Sequence, residues 1–167
     1  MKGAIGNAFI LNMVITFMLI FYILLIGSMA YSKAYRTKDY LINLIDEFER
    51  NGVNDFANNI GNPSPREQWD GEANSYLKST GYALSTSQWN SCQNNIDEYN
   101  LYLGNGQGRY DYCIYKKGDI YDSTNNNIIR QRYNYMVQVY MKLDLPILGK
   151  YINIPIRGET KQYIIYR

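Results

Sequence analysis

Histidine is absent from this 167-residue sequence. Its absence removes the side chain most used for acid–base work and metal ligation near neutral pH. With it go Ser-His and Cys-His nucleophile pairs and most zinc sites. Cysteine is scarce: Cys92 and Cys113 are the only two, and they are not in a CxxC pair. A dominant charge is lacking as well, with 17 Lys and Arg against 15 Asp and Glu. A net charge of +2 advertises no nucleic-acid surface. No acid–base or nucleophile set is visible, so the expectation is no enzyme, no catalytic residue, no cofactor, no metal and no small-molecule substrate.

Tyrosine is what the chain has in quantity, with 18 residues, and Asn is visibly frequent. Such a polar-aromatic composition suits strands and exposed surfaces better than a Leu/Ala-rich helical core. The length allows one ordinary domain plus an anchor.

Residues 4–30 carry no charge. A transmembrane helix needs about 20 apolar residues, whereas the apolar core of a cleaved signal peptide has about 7–15. "GSMA" near the end of the run resembles a cut site, but the run is too long, and a retained helix is expected. The helix also continues beyond the apolar run, because neither Gly nor Pro occurs from Ser28 to Asn51. Leu41, Leu44, Ile45 and Phe48 recur at i, i+3, i+4 and i+7, one helical stripe. The carboxylates Asp46, Glu47 and Glu49 read as a solvated face of the same helix. Gly52 is the expected stop. A helix from Ala4 to Asn51 would be about 70 Å long.

Two signals on orientation disagree. Lys33, Arg36 and Lys38 follow the apolar run, against the α-amine and Lys2 before it, and counting positive charge favours the bulk of the chain inside. An even cysteine count behind a membrane segment points instead to one disulfide, Cys92–Cys113, in an oxidising compartment. The other reading of the cysteines is two buried free thiols in a reducing compartment. The expectation adopted is a single pass through the cell membrane with the C-terminal domain extracytoplasmic.

Further along, Val53, Phe56 and Ile60 read as a short helix broken by "GNPSP". Ser64 and Glu67 have capping-box spacing and open another helix, weakened by Gly71. "GNGQGR" at 104–109 lacks the lysine and the frame of a phosphate loop and reads as a turn. "DIYDSTNNN", with Asp119, Asp122 and Asn125, lacks the Gly and terminal Glu of a calcium loop and also reads as a turn.

The apolar period then becomes two. In "YDYCIYK" at 110–116, Tyr110, Tyr112 and Ile114 alternate against Asp111, Cys113 and Tyr115. Tyr133, Tyr135, Val137, Val139, Met141 and Leu143 share one face, and Ile152, Ile154 and Ile156 share another. The tyrosines of these strands read as sheet core rather than as a stacking platform. Pro155 donates no ladder hydrogen bond, so its strand is an edge or bulges there, and "DLPILG" at 144–149 reads as a turn. The fold class is α+β: a long N-terminal transmembrane and amphipathic helix packed on a small antiparallel sheet of three or four strands. The domain reading is a transmembrane helix over 1–31 and an exported domain over 32–167, with the helix continuing over 32–51 and the sheet over 110–167.

This plan is pilin-like, and within that group the chain resembles the TadE-like minor pilins or pseudopilins of tight-adherence, Flp-type pilus systems. Two stretches carry the resemblance. "KGAIGNAF" is similar to the family's basic residue, Gly, small residues and Phe ahead of the apolar helix. "VQVYMKLDLPILGKYINIPIRGETK" is similar to its alternating strand, Leu-Pro-x-x-Gly turn and closing β-segments. Together they cover about a third of the chain. The resemblance implies prepilin-type processing at Gly3 and Ala4, and membrane lipid with other pilin-like subunits or assembly proteins as partners. Ala8 stands where the family usually has a Glu, and only Met1 and Lys2 precede Gly3. Helix–helix packing is expected at Asn7, Ala8, Asn12 and Thr16, with Asn7 and Asn12 hydrogen-bonding across helices. The plainer reading puts Asn7 idle at headgroup depth. Two functions follow: a structural subunit in assembly of a pilus or secretion filament, or a membrane-anchored extracellular module that contacts a ligand or partner.

Overall fold

The computed structural model describes residues 2–51, 63–81, 92–104, 112–123, 128–145 and 150–166. One helix, α1, runs unbroken from Lys2 to Arg50, 49 residues. Its two halves differ in what surrounds them. Large apolar residues from Phe9 to Leu25 stand in the open, Phe9 at 71% and Leu24 at 65% exposure. From Ala34 onward one side is buried, and Leu41, Leu44, Ile45 and Phe48 lie on it as their spacing predicts. Thr37 shares that side, and its buried hydroxyl donates to the Lys33 carbonyl at 2.9 Å, so no polar group is stranded there. The short helix read at Val53–Ile60 falls outside the described residues.

A second helix, α2, spans Pro65–Ser79. The capping box is present: the Ser64 hydroxyl accepts from the Glu67 N–H, and the Ser64 N–H donates back to the Glu67 carboxylate. Trp69, Ala73 and Leu77 recur at i+4 and form its buried side. Gly71 sits outside that stripe with open space around it, so it costs helix propensity and no packing. Phe48 meets Trp69 edge-on at 5.7 Å, and Tyr40 stacks on Tyr76 at 3.7 Å.

Among the described residues the sheet has six antiparallel strands: β1 (Asn95–Ile96), β2 (Tyr99–Gly104), β3 (Tyr112–Ser123), β4 (Ile128–Leu145), β5 (Lys150–Glu159) and β6 (Tyr163–Tyr166). It therefore begins at Asn95 rather than at 110 and exceeds the three or four strands expected. β2 escapes a period-two reading because the register shifts between Leu101 and Leu103. Those two residues consequently face opposite sides of the sheet, one in each core cluster. A second correction concerns Asp119 and Asp122. Both lie within β3, where Asp119 is opposite Arg132 in the ladder, and not in a turn. Asn125, residues 105–109 of the turn read at 104–109 and residues 146–149 of the turn read at 144–149 lie outside the described residues, whereas Gly104 ends β2 and Asp144 and Leu145 belong to β4 rather than to a turn.

β4 is the sheet's axis. One edge pairs with β3 over its first two thirds. The other pairs with β5 from Leu145 back to Met136 and then with β6 from Tyr133 to Arg130. Thr160 closes the gap: its N–H and hydroxyl engage the Tyr135 carbonyl and N–H at 2.9 and 3.0 Å. β5 is an outer strand, where Pro155 can be accommodated without a donor.

The two faces carry two cores. Tyr112 and Ile114 of β3 and Tyr133, Tyr135, Val137, Val139 and Met141 of β4 pack under α1 and α2. On the opposite face Ile96, Cys113, Tyr115 and Met136 cluster with Cys92, Tyr99, Leu101 and Tyr140. The structure joins Cys92 to Cys113, which ties the chain ahead of β1 to the back of β3.

Candidate functional site

Among the described residues three places stand out: the uncovered half of α1, the junction where α1 ends on the sheet, and a polar groove on the sheet's outer face.

Gly3, Ala4, Asn7, Ala8, Asn12 and Thr16 all lie within α1. Among the described residues this is the one helix long and apolar enough to cross a membrane, and none of its most apolar window is buried. At about 100° per residue Ala8, Asn12 and Thr16 fall on one side, while Asn7 lies about 140° away from Asn12. The four expected packing positions therefore do not form one patch. Thr16 donates its hydroxyl to the Asn12 carbonyl at 2.9 Å, which satisfies it within its own helix. Phe48 is 36 residues, about ten turns, beyond Asn12. In ideal geometry the side bearing Asn12 is thus the side on which the domain sits.

At the other end of α1 the carboxylates are not a solvated face. Glu47 alone is exposed. Glu49 accepts hydrogen bonds from the hydroxyls of Tyr133 at 2.6 Å and Tyr135 at 2.8 Å, and Asp46 accepts one from Tyr163. These acids are one turn apart on the helix and meet tyrosines that alternate on the helix-facing side of β4, joined by one from β6. The Lys116 ammonium lies 4.5–5.2 Å from the ring centroids of Tyr102, Tyr133 and Tyr135. Burial first, then the accepting carboxylate, pushes the hydroxyls of Tyr133, Tyr135 and Tyr163 well above the ordinary tyrosine value. Protonated hydroxyls held on carboxylates make a structural clasp and not an activated nucleophile.

The groove, about 370 Å³, opens where the chain passes from β5 to β6. Tyr99, Lys117, Arg132, Asn134, Glu159 and Gln162 contribute to its lining. Asn134 donates to the Tyr99 hydroxyl at 2.7 Å, and Lys117 pairs with Glu98. The lysine holds the Glu98 carboxyl below its usual range. Sequence reading missed this groove because its members come from four strands and the β5–β6 link, with no shared spacing. Among the described residues no group of three His, Cys, Asp or Glu is placed to hold a metal ion.

Comparison with protein-family models, with curated proteins and with solved structures gives no match. The fold and the disulfide are compatible with a membrane-anchored extracellular protein.

Proposed function

We propose that this chain is a single-pass membrane protein of TadE-like minor-pilin or pseudopilin type, a structural subunit in the assembly of a surface pilus or secretion filament. The observation that carries the reading is the continuity of α1. One helix supplies an uncovered apolar half and, without a break, the spine of an antiparallel sheet domain. A plain tether needs neither the rigidity nor the clasp of Glu49 and Asp46, because a flexible linker would hold a domain at a membrane equally well. A rigid spine fixes the domain's direction relative to the bilayer, which a subunit that packs among copies or partners requires. The Cys92–Cys113 disulfide supports an extracytoplasmic domain. In this reading the role is structural rather than catalytic, and the partners are membrane lipid and other helical-anchor subunits.

The test is affinity capture of the tagged full chain from gently solubilised native membranes. Recovery of other single-pass subunits with N-terminal apolar helices supports assembly. Recovery of the chain alone would sink the proposal. The groove at Tyr99, Arg132 and Asn134 favours the second reading, a membrane-anchored binding module. Capture of a glycan or soluble protein, lost on Arg132→Ala, would select it.

A further inference from the structure

We propose that α2 ends on the membrane surface, where its Lys78 joins Lys33 and Arg36 of α1 in binding anionic phospholipid headgroups. The inference rests on the reading of α1 as a membrane helix, and it holds for either orientation of the chain.

Contacts between the two helices fix the level of α2 along α1. Near the start of α2, Trp69 meets Phe48 edge-on at 5.7 Å. Two turns later Tyr76 stacks on Tyr40 at 3.7 Å, and its hydroxyl donates to the Arg36 carbonyl at 3.4 Å. Past the C-cap at Thr80, a Cβ on Gly81 would lie 3.9 Å from the Lys33 ammonium. α2 thus runs antiparallel to α1, and its end comes down beside Lys33. From Trp69 to Gly81 is about 18 Å of helix, against about 22 Å from Phe48 back to Lys33. The two lengths agree to within the reach of a side chain. An ammonium beside a helix C-terminus is favourable, which holds the end of α2 at this level.

Lys33 lies at the edge of the apolar run. The uncharged stretch ends at Ala30, and the helix rises about 4.5 Å from there to Lys33. A headgroup layer is about 5–7 Å thick on each side of the hydrocarbon core. Tyr31 and Tyr35 are exposed in the same part of α1 and stack at 6.1 Å, and aromatic rings of this kind mark a membrane–water boundary. The charge at this level is of one sign. Lys33, Arg36 and Lys78 are all exposed, and among the described residues none of them is in an ion pair. No acid precedes Asp39 on α1 or follows Glu72 on α2, and Asp39 is ion-paired with Lys38 at 3.1 Å. The negative potential of anionic headgroups attracts cations at this depth, and long apolar stems let their charged ends reach it.

The experiment uses the full chain with its native disulfide, reconstituted in vesicles of phosphatidylcholine and phosphatidylglycerol. A single cysteine is introduced by Thr16→Cys, Gln68→Cys or Ser79→Cys, each at an exposed position, and carries an environment-sensitive fluorophore. Position 16 reports the anchor and should be quenched by a nitroxide in the acyl chain. With the nitroxide at headgroup depth, position 79 should be quenched several-fold more than position 68, at the other end of α2. It should also be quenched several-fold more when phosphatidylglycerol carries the nitroxide than when phosphatidylcholine does. Arg36→Gln with Lys78→Gln should lower that lipid preference. Lys161→Gln, an exposed cation next to Thr160 on the far side of the domain's contact with Glu49, should leave it unchanged. Quenching at 16 with 79 no different from 68 overturns the landing of α2 and leaves the anchor intact. Equal quenching of 79 by the two lipids, or a preference that survives the double variant, overturns headgroup binding by these cations. No quenching at 16 removes the membrane reading of α1, and the α2 contact with it.

Discussion

Glu49 is the residue on which most of the helix–sheet junction converges. Two tyrosine hydroxyls donate to its carboxylate, and both tyrosines are buried. Glu49→Ala leaves two buried donors without an acceptor, and hydrogen bonds to a charged group contribute about 1.5–3 kcal/mol each. A loss of about 2–4 kcal/mol is expected in denaturant unfolding of the detergent-solubilised chain, while the exposed Glu47→Ala should change stability by about 0.5 kcal/mol or less. The same junction sets an alkaline limit. The hydroxyls of Tyr133, Tyr135 and Tyr163 are raised by burial and by their carboxylates. A raised value means the native state holds these protons more tightly than the unfolded chain does. Their stabilisation is therefore complete below the ordinary tyrosine value of 10.0 and is lost as pH climbs above it. Tyrosinate absorbance and circular dichroism should change together in that range. Three tyrosinates appearing near the ordinary value, with the fold intact, would contradict the clasp. None of this was legible in the run "DEFE". Spacing separates Leu44 and Ile45 from the acids, but it does not say that strand tyrosines will reach around the helix to meet Asp46 and Glu49.

At the scale of elements, the helix–sheet contact is tightest at Gly158, where Lys38 and Ile42 would have to shift to admit a side chain. A Cβ there would come within 2.7 Å of Lys38 Cδ and 2.9 Å of Ile42 Cδ1. Overpacking of this kind costs about 1–3 kcal/mol. Gly158→Val should destabilise by that amount, and Ile42→Ala in the same chain should recover part of it; strictly additive losses would show that the two sites do not touch. The disulfide restrains another element pair. Cys92→Ser with Cys113→Ser removes a cross-link over a sequence separation of 21 and should cost about 3 kcal/mol in the chain-entropy model. Proteolysis of the double variant should begin ahead of β1. Long periodic elements were readable in advance. The stripe of α1 and the alternation of β4 each specify one face, and the capping box of α2 marks its start. β1 and β2 were not readable, because a two-residue strand has no period and the shift between Leu101 and Leu103 breaks the period of its partner.

For the whole molecule, the sequence carries one helix that serves two environments, and its continuity is visible in the absence of Gly and Pro between Ser28 and Asn51. The groove arises only when distant strands meet. Orientation has its own test, since charge count and disulfide point opposite ways. Protease added to intact cells should digest epitopes in the sheet domain; protection until the membrane is opened would place that domain inside. In a subunit of the proposed kind, α1 would be held in the membrane by other helices as well as by lipid. Apolar lipid-facing residues tolerate exchange, because lipid tails solvate them as well as a partner does, whereas amides in the bilayer gain most from a neighbouring helix. Asn7→Leu with Asn12→Leu makes insertion easier. The decisive measurement is the yield of partner subunits captured with this double variant at unchanged abundance in the membrane. A clear loss of partners is expected. Capture equal to that of the native chain would contradict it and reduce α1 to a tether.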